Sequence, residues 1–138
     1  MAITKIFSSL NLIDLPKDMK KKKVLIVEDE MIISLLIEKM VMNLGHQVLK
    51  KVPSGEEAVK CAIEEEPDII LMDIRLDGEI NGIEAMSQIH KDRNIPVIYI
   101  SGNTDALTKG KLSDSDYVDF LPKPITISDL TRSFSFAS

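Results

Sequence analysis

The chain has 138 residues, the length of one ordinary domain, with 44% hydrophobic and 28% charged residues. Its 22 acids and 17 bases leave a net charge of -5, which argues against a general nucleic-acid binder. A single cysteine excludes a disulfide framework and a cysteine-based zinc site, and with only His46 and His90 a metal site has to be built from oxygen. The apolar runs fall far short of the ~20 residues that cross a bilayer.

Residues 1–22 read as an extension or linker. Ile3, Ile6, Phe7 and Leu10 share a helical spacing, but Ser8, Ser9, Asn11 and Asp14 interrupt any secretory apolar run, and Pro16 ends the pattern. Lys20 to Lys23 form a basic run of the kind a solvated face carries. From Lys23 the chain becomes regular. Val24 to Val27 is a continuous apolar run, as for a strand buried on both faces. A helix is predicted from Glu30 to Asn43, with Ile33, Leu36, Ile37, Met40 and Leu44 inward and Gly45 as its stop. Gln47 to Val52 is a more polar strand, nearer an edge. Ser54 to Glu57 has the capping-box pattern and opens a helix with Val59, Ala62 and Ile63 inward, closed by Pro67. Ile69 to Met72 is the next buried strand. Asp77-Gly78 and Asn81-Gly82 are turn signals, and Asn81 with Glu84 again resembles a cap, before a helix carrying Ile83, Met86 and Ile89. Pro96 to Ile100 is a third buried strand, 104–112 a helix of low propensity, Tyr117 to Leu121 the last strand, and Ile127 to Phe136 a short final helix. Cys61 reads as a small hydrophobe in a helix core, and both histidines as surface residues.

Five strands alternating with about five helices predict an α/β fold: a doubly wound, five-stranded parallel sheet, flavodoxin-like, with helices on both faces. Polar residues terminate the buried strands. Glu28, Asp29 and Glu30 follow the first, Asp73 the third and Ser101-Gly102 the fourth, while Lys123-Pro124 follows the fifth. Ligands of such sheets bind beyond the carboxyl ends of the strands, where the strand order reverses. In the order 2-1-3-4-5 that point lies between strands 1 and 3, so Glu28, Asp29 and Asp73 converge there. Crowded carboxylates call for a cation, either a lysine or an oxygen-ligated ion such as Mg²⁺. Lys123 would supply a fixed charge and Ser101 a hydroxyl. Together with the ion they suit the equatorial oxygens of a transferring phosphoryl group, with the Asp73 carboxylate as nucleophile. The bland readings are a helix cap for Asp73, a solvated acidic turn for Glu28 to Glu30, a plain cap for Ser101, a surface lysine for Lys123 and ordinary core for Phe120.

The motifs Val24-Leu25-Ile26-Val27-Glu28-Asp29-Glu30, Ile70-Leu71-Met72-Asp73-Ile74-Arg75-Leu76, Ile100-Ser101-Gly102 and Phe120-Leu121-Pro122-Lys123-Pro124 stand in one order along the chain. With them the chain from residue 23 onward resembles the receiver domain of two-component response regulators, of the chemotaxis-receiver type. The resemblance implies that Asp73 accepts a phosphoryl group from a phosphohistidine of a sensor histidine kinase or phosphotransfer protein. It implies that Asp29, Asp73 and the Arg75 backbone carbonyl hold Mg²⁺, with Glu28 acting on the ion mainly through water. Lys123 would contact the phosphoryl oxygens. Ser101 and Phe120 would be the switch residues, Phe120 working through packing because it has no hydroxyl. The Lys123-Pro124 peptide matches a position that is often cis in the family.

The resemblance further implies a cytoplasmic signalling protein that catalyses only its own phosphorylation and dephosphorylation. Its downstream partner is unknown, and neither nucleic acid nor membrane is expected. The output face would be the helix at 104–112, the last strand and the last helix, and a homodimer through that face is compatible with it. Two rivals stand beside this reading. A haloacid-dehalogenase-like phosphatase also uses an Asp nucleophile and Mg²⁺, but wants a second Asp two positions on, where Arg75 stands. A fold-only interaction module would not need the acids with Lys123. Only 14 residues follow Pro124, too few for an output domain, so the chain reads as a stand-alone receiver or a piece of a larger protein.

Overall fold

Alternation along each strand splits the core in two. In β1 (Lys23–Val27), Leu25 and Val27 point to one face of the sheet, Val24 and Ile26 to the other, and all four are buried. The computed structural model describes residues 20–102, 112 and 116–137. Within them β1 is followed by α1 (Met31–Asn43), β2 (Gln47–Val52), α2 (Gly55–Glu65), β3 (Ile69–Asp73), α3 (Gly82–Asp92), β4 (Val97–Ser101), β5 (Asp119–Pro122) and α4 (Ile127–Phe136). The sheet is parallel, in the order β2-β1-β3-β4-β5. The central strands β3 and β4 are buried along their whole length, which is why their sequences are continuous apolar runs. Residues of α2 and α3 pack with Leu25, Val27, Ile70 and Met72. Residues of α1 and α4 pack on the other face with Val24, Ile26, Ile69 and Leu71. The edge strand β2 exposes Lys50 and Lys51, charges that discourage pairing with another chain.

The helix ends follow the local chemistry. Ser54 caps α2 by accepting from the Glu57 N–H at 3.2 Å. Asn81 and Glu84 form a reciprocal capping box on α3, each bond 2.9 Å long, and Thr126 and Asp129 form another on α4.

Four expectations are corrected, three in the elements and one at His46. In α1 the buried residues are Ser34, Ile37 and Val41, with Ile33, Met40 and Leu44 half-buried, while Leu36 is exposed. This helix is apolar nearly all round, so its periodicity does not single out the stripe that the sheet selects. In α2 the sheet takes Ala58, Cys61 and Ala62, leaving Val59 half-buried and Ile63 at the exposed margin. The last strand starts at Asp119, two residues later than expected; Tyr117 before it packs edge-on against Tyr99, with ring centroids 5.9 Å apart. Apart from Leu112, which is buried, the helix predicted at 104–112 lies outside the described residues, as does the extension before Lys20.

His90 is exposed as expected, but His46 is half-buried. Its ring stacks on Phe134 with centroids 4.5 Å apart, and its Nδ1 accepts the Lys22 N–H at 3.1 Å. Burial, with the Lys22 charge adding to it, holds this imidazole below the usual histidine pKa. A histidine with a lowered folded-state pKa binds its proton more readily in the unfolded chain. Its contribution to stability is therefore present above its unfolded pKa of about 6.5 and is lost as pH falls through that value. Urea unfolding at pH 7.5 and 5.5 is expected to show a smaller acid loss for His46→Phe, which cannot titrate, than for the wild type. Equal losses would contradict it.

Candidate phosphoacceptor site

The connections from β1 and β3 leave in opposite directions, the first to β2 and the second to β4, and this opens a cleft at the carboxyl ends of β1 and β3. Glu28 extends β1 by donating its N–H to Val52 O at 3.0 Å, and Asp29 follows at the mouth of the cleft. Asp73 is the last residue of β3. Carboxylate oxygens of Glu28, Asp29 and Asp73 lie within 4.8 Å of one another. Glu28 and Asp73 are buried, each 3% exposed, and Asp29 is half-buried.

Lys123, in the loop after β5, enters from the side. Its N–H donates to Ser101 O at 2.8 Å, which ties the loop to the end of β4. Its Nζ lies 2.8 Å from Glu28 Oε1 and donates to Asp73 Oδ2 at 3.1 Å. The Lys123-Pro124 peptide is cis, as the resemblance implies. Burial pushes the Glu28 carboxyl up to about 7, with the Asp73 charge adding to the rise and Lys123 and the Glu30 N–H opposing it. Burial works to lower the Lys123 pKa, but its bonds to Glu28 and Asp73 outweigh that and raise it above the ordinary lysine value.

The remaining contacts hold the frame. Glu28 Oε2 accepts the Glu30 N–H at 3.0 Å, Asp73 Oδ1 accepts the Arg75 N–H at 3.2 Å, and Asp29 Oδ2 accepts the Asp77 N–H at 3.3 Å. Glu28 Oε1 is buried and has no aligned hydrogen-bond donor despite its short ion pair with Lys123. A group of three carboxylates with no sulfur or imidazole among them fits a hard divalent cation such as Mg²⁺. Arg75 stands two residues past Asp73, on the loop that closes this side. Ser101 is buried at the adjacent strand end, and half-buried Phe120, level with Tyr99 in the sheet, packs against the core that α2 and α3 share. Glu28, Asp29, Asp73 and Lys123 thus meet in one cleft, Ser101 stands at the adjacent strand end, and Phe120 lies in the core packing.

Sequence reasoning missed two contributors. Gly82, the first residue of α3, sits against the Asp73 backbone: a Cβ built there would be 2.2 Å from Asp73 O. Glu56, beside the capping serine of α2, accepts from Glu79 N and Ile80 N at 3.0 Å each. The Asn81-Gly82 turn signal could have marked the first. No local pattern marks the second.

The chain belongs to the response regulator receiver domain family, which matches residues 24–135. The chemotaxis protein CheY of Thermotoga maritima is 30% identical over 118 residues, 85% of this chain and 98% of that protein. Protein PilH of Pseudomonas aeruginosa is 33% identical over 116 residues, 82% of this chain and 94% of its own. The transcriptional regulatory protein PdtaR of Mycobacterium tuberculosis is 29% identical over 84% of this chain, which spans only 56% of PdtaR. Among solved structures, the receiver domain of a modulated diguanylate cyclase from Desulfovibrio desulfuricans G20 superposes with a TM-score of 0.80 at 34% identity, covering 86% of this chain and 94% of that one. The receiver domain of a sensor histidine kinase from Pseudomonas aeruginosa PAO1, which has a magnesium ion coordinated in its active site cleft, superposes at 0.76 with 29% identity, over 86% of this chain and 99% of that one. Among the described residues no helix is long and apolar enough to cross a membrane.

Proposed function

We propose that this chain is the phosphoryl-accepting receiver of a two-component phosphorelay, with Asp73 as the acceptor. The observation that carries the reading is the position of Asp73. It ends the central strand, buried, 3.1 Å from Lys123 Nζ and within 4.8 Å of the Glu28 and Asp29 carboxylates. A nucleophilic carboxylate held between a fixed ammonium and a cation site is what transfer to an aspartate requires.

An Asp73 oxygen attacks the phosphorus of a phosphohistidine on a partner. The P–N bond breaks, its electron pair stays on the imidazole, and an acyl phosphate forms on Asp73. Glu28, Asp29, Asp73 and the Arg75 carbonyl would hold Mg²⁺. When bound, the ion would supply charge neutralisation of phosphoryl oxygens that the acids repel. Lys123 gives up its bond to Asp73 Oδ2 for the incoming oxygens and keeps its place through its backbone bond to Ser101 O. The Ser101 hydroxyl donates to the product, and the resulting pull on the β4 end is passed to Phe120 of β5 and on to α4. The partner is a sensor histidine kinase or a phosphotransfer protein. Met31, Ile32, Leu35 and Leu36 of α1 are exposed, Met31 to 85%, and this stripe starts two residues past Asp29. It gives the donor an apolar surface to rest on beside the acceptor. The protein would work in the cytoplasm and catalyse only reactions of its own Asp73. The phosphatase alternative is disfavoured by Arg75 at the second-acid position.

Incubation with acetyl phosphate and Mg²⁺ is expected to add the mass of one phosphoryl group. The gain is expected to disappear in Asp73→Asn and on chelation of the metal. No gain, or a gain that survives Asp73→Asn, would overturn the reading.

A further inference from the structure

We propose that Glu56 is a positioning residue of the cation site, a carboxylate latch on α2 that fixes the loop between β3 and α3. This rests on the proposed Mg²⁺-dependent phosphoacceptor reading and extends it to a residue outside the acidic cluster.

The loop has a demanding task. Residues 74–81 carry the Arg75 N–H, which donates to Asp73 Oδ1 at 3.2 Å, and the Asp77 N–H, which orients Asp29 through Oδ2 at 3.3 Å. The loop holds Gly78 at φ +118 and exposes Arg75, Asp77, Gly78 and Glu79. Such a segment has little packing of its own to define it. Its far side is gripped by the first turn of α2 in two ways. Glu56 Oε1 accepts both the Glu79 and the Ile80 N–H at 3.0 Å, so one charged oxygen satisfies two consecutive backbone donors. Gly55 lets Ile80 come down on the helix: a Cβ there would meet Ile80 Cγ1 at 2.8 Å. Glu56 Oε2 lies over Gly78, 2.9 Å from where a Cβ would be. Its own backbone N–H, then those of Ile80 and Glu79 and the Ser54 hydroxyl, hold the Glu56 carboxyl below the usual glutamate range. The path from Glu56 to the site is short and continuous: two backbone bonds, the turn at Gly78, and the Asp77 N–H on Asp29.

Partners that orient metal-binding groups typically change metal affinity 10–100-fold when removed. The lower end suits Glu56, which acts through a loop. Calorimetric titration of Mg²⁺ into the full chain should show about a tenfold weaker affinity for Glu56→Ala. Glu56→Gln keeps an oxygen acceptor and should recover most of the loss. Glu57→Ala is the matched control. It removes the neighbouring acid of the same helix turn, including its contact with Ser54 Oγ, and leaves the loop bonds intact. It should bind Mg²⁺ as the wild type does. In the metal-free protein, amide exchange at Asp77, Glu79 and Ile80 should speed up in Glu56→Ala alone. Equal Mg²⁺ affinity in Glu56→Ala and the wild type would overturn the latch, as would equal weakening in Glu57→Ala. A wild type that binds no Mg²⁺ would instead overturn the reading beneath it.

Discussion

Gly82→Ala is expected to lower stability by about 3 kcal/mol, at the upper end for overpacked positions, and to slow phosphorylation of Asp73 about 100-fold. The reason is contact with backbone, which cannot rotate away. An alanine Cβ would lie 2.2 Å from Asp73 O, 3.0 Å from Asp73 C and 2.8 Å from Met72 Cγ. The methionine can move; the carbonyl cannot. It belongs to the end of β3, which is pinned by Ile74 N–H on Ile100 O at 3.1 Å and by Gly82 N–H on Ile74 O at 2.8 Å. The other side is equally constrained, because α3 is locked by the Asn81–Glu84 box and buries Ala85, Met86 and Ile89. One of the two must shift by roughly an ångström to reach ordinary contact, and a displacement of that size at a reacting group costs about two orders of magnitude in rate.

Gly45→Ala separates stability from site geometry. Nothing lies within 4 Å of a Cβ there, but φ is +90, so the cost is backbone strain of about 1–2 kcal/mol at the end of α1. Its phosphorylation rate should stay near that of the wild type. Melting curves and initial rates with acetyl phosphate on the two variants decide the matter. A Gly82→Ala protein that melts and reacts like the wild type would show that α3 yields freely at its first turn.

The legible parts of this protein are those written in short-range pattern. A run of apolar residues that stops at an acid, Val27 to Glu28 or Met72 to Asp73, states both that the strand is buried on two faces and that a carboxylate stands at its end. Parallel connections and the strand order then bring the ends of β1 and β3 together, so the acidic cluster follows from topology. The parts not legible depend on which face or neighbour wins. Nearly every face of α1 is apolar, so the sequence is compatible with several buried stripes, and only packing puts Ser34 inward and Leu36 outward. His46 meets Phe134 across 88 positions, without any local signal. The S-x-x-E pattern draws attention to Glu57, which serves the cap, and away from Glu56, whose partners lie more than 20 residues on. Gly82 looks like the second half of a turn signal, although its requirement is close approach to Asp73.

Lys123→Ala is expected to reduce the rate of Asp73 phosphorylation about 100-fold, the usual effect of removing one charge-stabilising donor from a reacting centre, while Mg²⁺ binding persists. In the resting protein Lys123 neutralises two buried carboxylates, 2.8 Å from Glu28 Oε1 and 3.1 Å from Asp73 Oδ2. Breaking a buried ion pair commonly costs about 3–5 kcal/mol because a charge is left without a partner. Here the full cost is avoided at neutral pH, because Glu28 can take a proton: burial already raises its carboxyl to about 7 while Lys123 is present. Without the lysine, Glu28 faces Asp73 and Asp29 alone, and its pKa rises further. A carboxyl with a raised folded-state pKa binds protons better in the folded chain. Stability therefore falls as pH climbs from its unfolded value of about 4.3 to the folded pKa, by up to ~1.4 kcal/mol per pH unit, and levels off above it. In the wild type that window closes near 7; in Lys123→Ala it stays open above 7. Metal-free unfolding at pH 6 and pH 8.5 should show the variant losing more stability over this interval than the wild type. Mg²⁺ should restore much of it, since the cation takes over the charge that the lysine supplied. It should not restore the rate, because a cation held by the acids would not supply the hydrogen-bond donor that Lys123 offers to the phosphoryl oxygens. Phosphorylation within about threefold of the wild type, well short of the donor-removal effect, would make Lys123 a structural counter-charge only. A rate loss that disappears at saturating Mg²⁺ would place its contribution in the metal site and not on the phosphoryl group.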